Sequence, residues 1–302
     1  MLTRTLACLI ASGLGALGWA LIERRLPRVV EVEIPVLASG HLTVLQVADS
    51  HMLRTQDWLE TFTQSLDQLD PDLVVCTGDN LGERGALPTF LRSLGGLAKR
   101  PGVFTFGSND YYSPVPKNPL IYFGGPSIAK QRTVRDLPYK KMAQELRERG
   151  WTEARNQSAL MKIPMKPSKY GAGKQATVAV IGVDDPHINR DRMPAVPEGW
   201  DQADLRLGVT HAPYRRVLQK FADLRCDLVI CGHTHGGQVR VPFFGALVTN
   251  TDLPRQWADG LHRWFESQTY VYISRGLGAS KYAPIRFFCR PEANLLRLVP
   301  KQ

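Results

Sequence analysis

Apolar and polar residues alternate through VVEVEIPV (29–36), the pattern of a strand with one face toward a core. HLTVLQVADSHM (41–52) is a second strand that runs into polar residues. In TQDWLETFTQSLDQLD (55–70) the spacing changes, and apolar positions 58, 59, 62, 66 and 69 fall at helical intervals. PDLVVCTGDN (71–80) is a continuous apolar run entered through Pro71, as in a strand buried on both faces. A short helix is predicted over 87–98, and GVFTFGSND (102–110) is a further strand. After a Pro- and Gly-rich region with a helix at 139–150, strands are predicted at 176–187, 204–214, 269–278 and 294–300, and residues 226–242 are read as a strand, a loop and another strand. A further helix is predicted over YRRVLQKFADL (214–224).

Strands that alternate with helices predict an α/β fold with both sheet faces covered. In such folds ligands collect at the carboxyl ends of strands. Five of those ends read ADSH, TGDN, GSND, VTHAP and CGHTHGG. One Asp or His after a strand is ordinary; five successive ends drawing on Asp, Asn and His are not. If the strand continues through them, Asp49 and His51 share a face. Asp79 has two oxygens and can bridge two cations. His233 and His235 repeat the i, i+2 spacing among Gly232, Gly236 and Gly237, which permit unusual backbone geometry. Imidazole, carboxylate and neutral amide oxygen suit divalent Mn, Fe, Zn or Ni. No cysteine belongs to the set, which argues against a structural zinc site.

The chain of 302 residues is 43% hydrophobic and 22% charged, as in an ordinary globular protein. Its net charge is +10, and the excess is local: residues 117–174 hold thirteen Lys and Arg against four Asp and Glu. Such a surface favours phosphates in a small substrate, an anionic lipid or a nucleic acid; the alternative is a solvated basic face on an insertion. No nucleic-acid recognition motif is visible. Five cysteines, an odd number without CxxC, do not form a disulfide framework. Leu6 to Ile22 carries no charge, so residues 1–28 are expected to be a membrane anchor or signal segment. Arg24, Arg25 and Arg28 then favour a cytoplasmic domain, with an exported one as the alternative, since Arg4 and the amino terminus nearly balance them.

Together DxH (Asp49, His51), GD (Gly78, Asp79), Asn109, a lone His211 and GHTH (Gly232–His235) resemble the calcineurin-like metallophosphoesterases. The motifs cover about residues 41–240 in that superfamily's order. The tail ISRGLGASKYAPIRFFCRPE (273–292) is similar to its membrane-associated branch, and GSNDYY to actinobacterial members. The resemblance implies a four-layer αββα sandwich of two mixed sheets flanked by helices, here with an N-terminal hydrophobic helix and a domain over 29–302 carrying a basic insertion at about 111–176. It implies two divalent metal ions: Asp49, His51 and His235 for one, Asn109, His211 and His233 for the other, with Asp79 shared. It also implies hydrolysis of a phosphomonoester, phosphodiester or pyrophosphate, and through the membrane branch a lipid-linked substrate.

One motif departs from the pattern. Family members have GNH followed by Asp or Glu, and this chain has Gly107-Ser108-Asn109-Asp110. Aligned from the glycine, Ser108 takes the ligand place. Shifted by one, Asn109 stays a ligand and Asp110 takes the place of the catalytic histidine; an amide oxygen is the better metal partner. An anion beside two cations has its pKa lowered, so Asp110 is a poor general acid, which favours substrates with good leaving groups such as pyrophosphates. A degenerate, membrane-tethered regulatory site and a nuclease are the competing functions. His187 is read as a turn residue, with Asp184 and Asp185 capping or pairing with Arg190 or Arg192. Tyr111 and Tyr112 either rim the site or pack over the basic stretch.

Overall fold

The computed structural model describes residues 2–116, 118, 134–167, 169–171, 173 and 175–301. Helix α1 (Leu2–Glu23) leads into β1 (Arg28–Leu37) and β2 (Leu42–Val47). Then come α2 (Asp57–Ser65), β3 (Leu73–Cys76), α3 (Leu87–Ser93), β4 (Gly102–Phe104), α4 (Ser108–Tyr111), α5 (Tyr139–Glu148), β5 (Thr152–Glu153) and β6 (Gln157–Pro164). The second half contains β7 (Gln175–Gly182), β8 (Leu205–Val209), α6 (Arg215–Asp223), β9 (Leu228–Cys231), β10 (Arg240–Val241) and β11 (Gly245–Ala246). It closes with β12 (Gly260–Arg263), β13 (Tyr270–Ile273) and β14 (Glu292–Pro300).

Two six-stranded mixed sheets result, ordered β1-β14-β2-β3-β4-β5 and β12-β13-β9-β8-β7-β6. The alternation explains the layers. In β3, Leu73 and Val75 face the second sheet and meet Val178, Leu207 and Ile230, while Val74 and Cys76 face α2, α3 and α5 through Leu59, Phe90 and Met142. The outer face of the second sheet, with Ile181, Val229 and Ile273, packs on Val217, Leu218 and Phe221 of α6. This is the four-layer arrangement of two mixed sheets flanked by helices.

Three expectations change. Strand β2 stops at Val47, so Asp49 and His51 are not held in extended backbone. GSND is not a strand end: Gly107 caps the short helix α4. Within the basic stretch, residues 139–164 supply α5 and the edge strands β5 and β6; Lys117, residues 119–133 and Lys174 lie outside the described residues.

The segment expected as a membrane anchor or signal forms helix α1 (Leu2–Glu23). Among the described residues no helix is long and apolar enough to cross a membrane. Helix α1 has 22 residues, and its apolar run from Leu6 to Ile22 is seventeen residues long and includes three glycines. Seventeen residues at 1.5 Å each make about 26 Å, short of a hydrocarbon core of about 30 Å. The C-terminal turn of α1 docks on the domain: Arg286 donates its backbone N–H to Ala20 O at 3.1 Å.

All five cysteines are free, and all but Cys8 are buried.

Candidate metal centre

Five parallel strands deliver the site from their carboxyl ends. Asp49 and His51 follow β2, Asp79 follows β3, and Asn109 lies in α4 beyond β4. His211 follows β8, and His233 and His235 follow β9. The sheets are tied together at this end by two side chains. Gln46 donates to Cys231 O at 2.9 Å and Thr105 to Val183 O at 2.7 Å.

The loops leave the strands sharply. Asp49, His51, Asp79, His233 and His235 all have positive φ, between 41° and 71°. Non-glycine residues seldom adopt this conformation, and it persists where the surroundings over-determine it. Here the two loops hold each other. Asp49 N–H donates to Gly78 O at 3.0 Å, and His51 N–H to Asp79 O at 2.9 Å. Asp49 in turn accepts the His233 N–H at 3.0 Å. Glycine is demanded at Gly107, where a Cβ would lie 2.2 Å from Asp79 Oδ1 and 2.6 Å from the His211 ring. It is demanded again at Gly232, where a Cβ would lie 2.3 Å from Asp49 Oδ2.

These turns aim two pairs of imidazole nitrogens at each other. His51 Nε2 and His235 Nε2 are 3.1 Å apart, as are His211 Nε2 and His233 Nδ1. Asp79 lies between the pairs, with Oδ2 3.6 Å from His51 Nε2 and Oδ1 3.6 Å from His211 Nε2. Asp49 Oδ1 is 3.8 Å from His235 Nε2. Asn109 reaches the shared carboxylate, donating its backbone N–H to Oδ1 at 2.8 Å and its side-chain amide to Oδ2 at 2.7 Å. Asn109 and His235 are half-buried; Asp49, His51, Asp79, His211 and His233 are buried. The donor set fits divalent cations. Two nitrogens bound to one cation at about 2.0–2.1 Å stand about 3 Å apart, and the buried His51 Nδ1 is left without a partner.

The electrostatics agree. Burial alone would push His211 down, but the carboxylates of Asp79, Asp185 and Asp49 outweigh it and hold His211 up at about 9. Burial works against an ionised Asp79, yet His211, His51 and the Asn109 donors keep it down at about 2. Burial raises Asp49 to about 7.

Asp110 is placed differently from the expectation. Its Oδ2 accepts the N–H groups of Asp79 (2.8 Å) and Gly107 (2.9 Å), and its Oδ1 that of Asn80 (2.8 Å). The link to Gly107 is the reciprocal half of a capping box, from third helical residue to cap. Burial and the neighbouring Asp79 push Asp110 up to about 7, against the Gly107 and Asn80 donors. Both oxygens are committed to backbone, so the residue braces the loop instead of presenting a free acid.

Asp185 caps the turn at Pro186–Ile188 and accepts the His187 N–H at 2.8 Å, while Asp184 pairs with Arg190 at 2.7 Å. Tyr111 is buried and donates to Asp184 at 2.7 Å, so it packs and does not rim the site. Two residues that the sequence reading does not place at the site are its neighbours. The His187 ring lies 4.5 Å from the ring of His233, and its Nδ1 is 2.9 Å from Tyr214 Oη. The signal was present, since His187 follows β7 as the ligands follow their strands. Arg286 is fully buried and donates to His235 O at 2.9 Å, with its guanidinium 3.0 Å from His235 Nδ1. Nothing in its local sequence marks it.

Two imidazole–carboxylate clusters sharing one carboxylate, at the open ends of two mixed sheets, are the layout of a metal-dependent phosphoester hydrolase. The family model of calcineurin-like phosphoesterases matches residues 42–237, and the chain belongs to that family. It is 23% identical over 263 residues to the uncharacterized metallophosphoesterase YkuE of Bacillus subtilis, covering 84% of this chain and 78% of that one. It is 25% identical over 286 residues to the UDP-2,3-diacylglucosamine pyrophosphatase LpxG of Chlamydia trachomatis, covering 85% and 83%. A shorter match, 38% identical over 104 residues, joins it to the phosphodiesterase YaeI of Escherichia coli, covering 34% of this chain and 36% of that one.

Proposed function

We propose that this chain hydrolyses a phosphodiester or pyrophosphate bond in a lipid-linked substrate, using two divalent ions drawn from Mn, Fe, Zn or Ni. In this reading Asp49, His51 and His235 hold one ion, Asn109, His211 and His233 hold the other, and Asp79 is shared. The observation that carries it is the placement of Asp79, one oxygen toward each pair of histidines at 3.6 Å. When bound, the ions would supply positive charge to the phosphoryl oxygens and lower the pKa of water.

The chain's own residues set what can react. Burial of Asp49, His51 and Asp79 keeps bulk water from competing for the ligands. The half-buried Asn109 and His235 mark the side from which substrate enters. GSND carries no histidine, and the Asp110 oxygens are taken by backbone. No acid is therefore supplied to the leaving group from that loop, which favours substrates whose leaving group departs as a stable anion. A pyrophosphate fits this requirement, and LpxG, whose name describes a lipid-linked pyrophosphatase, supports the same class.

The test is metal analysis of the purified chain, then turnover of bis-p-nitrophenyl phosphate and of a lipid-linked pyrophosphate. Close to two ions per chain and turnover abolished by Asp79→Asn are expected. Absence of divalent metal, or full activity of Asp79→Asn, would overturn the reading.

A further inference from the structure

Strands β10 and β11 form a small hairpin whose tip carries Phe243 and Phe244 into solvent. Phe243 is fully exposed and has φ +64°. Left-handed backbone is costly for a bulky residue, and burying a phenylalanine side chain is favourable. The tip accepts the first cost and forgoes the second, with no return inside the fold.

The hairpin is tied to two other exposed apolar segments. Arg240 N–H donates to Phe287 O at 2.9 Å, and Phe287 N–H to Gln238 O at 3.1 Å. The next residue, Phe288, is half exposed, and its N–H and that of Cys289 donate to the Glu23 carboxylate at 2.9 and 2.7 Å. Glu23 closes α1, where Trp19 and Ile22 are exposed. Three parts of the chain, distant in sequence, thus present large apolar side chains from one connected region. Scattered exposed apolar residues are ordinary, but a connected patch marks an interaction site.

The charges around it choose the occupant. Arg24, Arg25, Arg255 and Arg290 surround these segments and have no carboxylate partner among the described residues. Arg255 stacks on the Phe244 ring, 4.1 Å from its centroid. Glu23 is consumed by the two backbone donors, and Asp259 by Arg240 and Arg275. A second copy of this chain meeting the patch about a two-fold axis would set these cations against themselves. An anionic surface is complementary to them.

We infer that this region docks on an anionic lipid bilayer, with Phe243, Phe244, Phe288 and Trp19 in the interface and the four arginines at lipid phosphates. Aromatic rings favour that interface, and cations near an anionic leaflet are attracted to it. The docked chain lies on the membrane and does not need to span it. The same segment carries Arg286, which holds His235, so docking brings the candidate metal centre to the lipid surface. That last consequence rests on the lipid-linked substrate proposed above; the docking does not.

The experiment is co-sedimentation of the full chain with phosphatidylcholine vesicles, with and without phosphatidylglycerol, alongside turnover of soluble bis-p-nitrophenyl phosphate. Wild type is expected to bind the anionic vesicles, less so at high salt. Phe243→Ser with Phe244→Ser is expected to weaken that binding at least tenfold with soluble turnover unchanged. Arg24→Gln with Arg25→Gln is expected to lose the preference for anionic vesicles. Wild-type-like binding by the phenylalanine variant, no binding by wild type, or self-association that the variant abolishes would each overturn the inference. Docking without hydrolysis of a lipid-linked substrate would remove the substrate reading alone.

Discussion

The carboxylate of Asp110 accepts the backbone N–H of Asp79 at 2.8 Å, so it supports the proposed shared ligand from behind. It also takes the N–H groups of Asn80 and Gly107 and is fully buried. Each buried donor left unpaired costs about 1–3 kcal/mol. Asp110→Ala is therefore expected to destabilise the chain by several kcal/mol and to lower metal occupancy with it. Asp110→Asn places an amide against N–H donors and is expected to act in the same direction. A brace and a proton donor differ in one readout. Loss of a brace lowers turnover of aryl phosphodiesters by the same factor whatever the leaving-group pKa. Loss of an acid slows poor leaving groups most, and that outcome would return Asp110 to catalysis.

The approach of Gly107 to the site gives a second test. A methyl group there would meet Asp79 Oδ1 at 2.2 Å and His211 Nε2 at 2.6 Å. Since the clash is with the carboxylate and the ring of two proposed ligands, Gly107→Ala is expected to impair metal binding before it impairs folding. Metal content per folded chain, with circular dichroism as the control, checks this. Full occupancy in a folded variant would show that the loop yields and that the geometry is not fixed here.

Proton release on metal loading is a third outcome. Held at about 9 by Asp79, Asp185 and Asp49 against the pull of burial, His211 is protonated at pH 7 when no cation replaces its proton. Its folded pKa lies above its ordinary value of 6.5. In chelated protein its stabilising contribution is thus complete below pH 6.5 and is lost as pH rises through 9. Loading displaces the proton, so affinity rises with pH over the same window. Isothermal titration calorimetry at pH 7 in buffers of differing ionisation enthalpy should count protons released per chain. An apparent enthalpy independent of the buffer would contradict the linkage.

The residues that converge were legible in the sequence because each follows an apolar run that could only be a buried strand. Asp49, Asp79, His211 and His233 needed no more than that. What was hidden depends on backbone conformation and tertiary contact. No pattern announces that Asp49 and His51 leave extended geometry for positive φ, since those angles are imposed by hydrogen bonds to Gly78 and Asp79 across the neighbouring loop. Ser108 to Tyr111 form a helical turn because Asp110 reaches back to the cap, a contact that strand alternation in residues 102–106 conceals. Strand β6 (Gln157–Pro164) was missed because, as an edge strand, it is half exposed and carries few strongly apolar positions.

Arg286 is the clearest residue of that hidden kind, and it supplies the last prediction. Its guanidinium, fully buried, donates to the carbonyls of His235, Arg275 and Gly278. A fork on the carbonyl of one proposed ligand and on its neighbouring segment fixes the backbone that presents the ring. Partners of this kind are worth roughly 10–100-fold in metal affinity. Arg286→Lys keeps the charge but not the fork, and is expected to weaken one of two ions by that factor. The weakened ion should be the one assigned to Asp49, His51 and His235, because Arg286 touches no ligand of the other. Arg286→Met removes every bond and is expected to lower the melting temperature as well. Titration with Co(II), followed by its visible absorption, separates the two sites. Equal weakening of both ions by Arg286→Lys would assign the residue to general stability, and unchanged affinity for both would remove its positioning role.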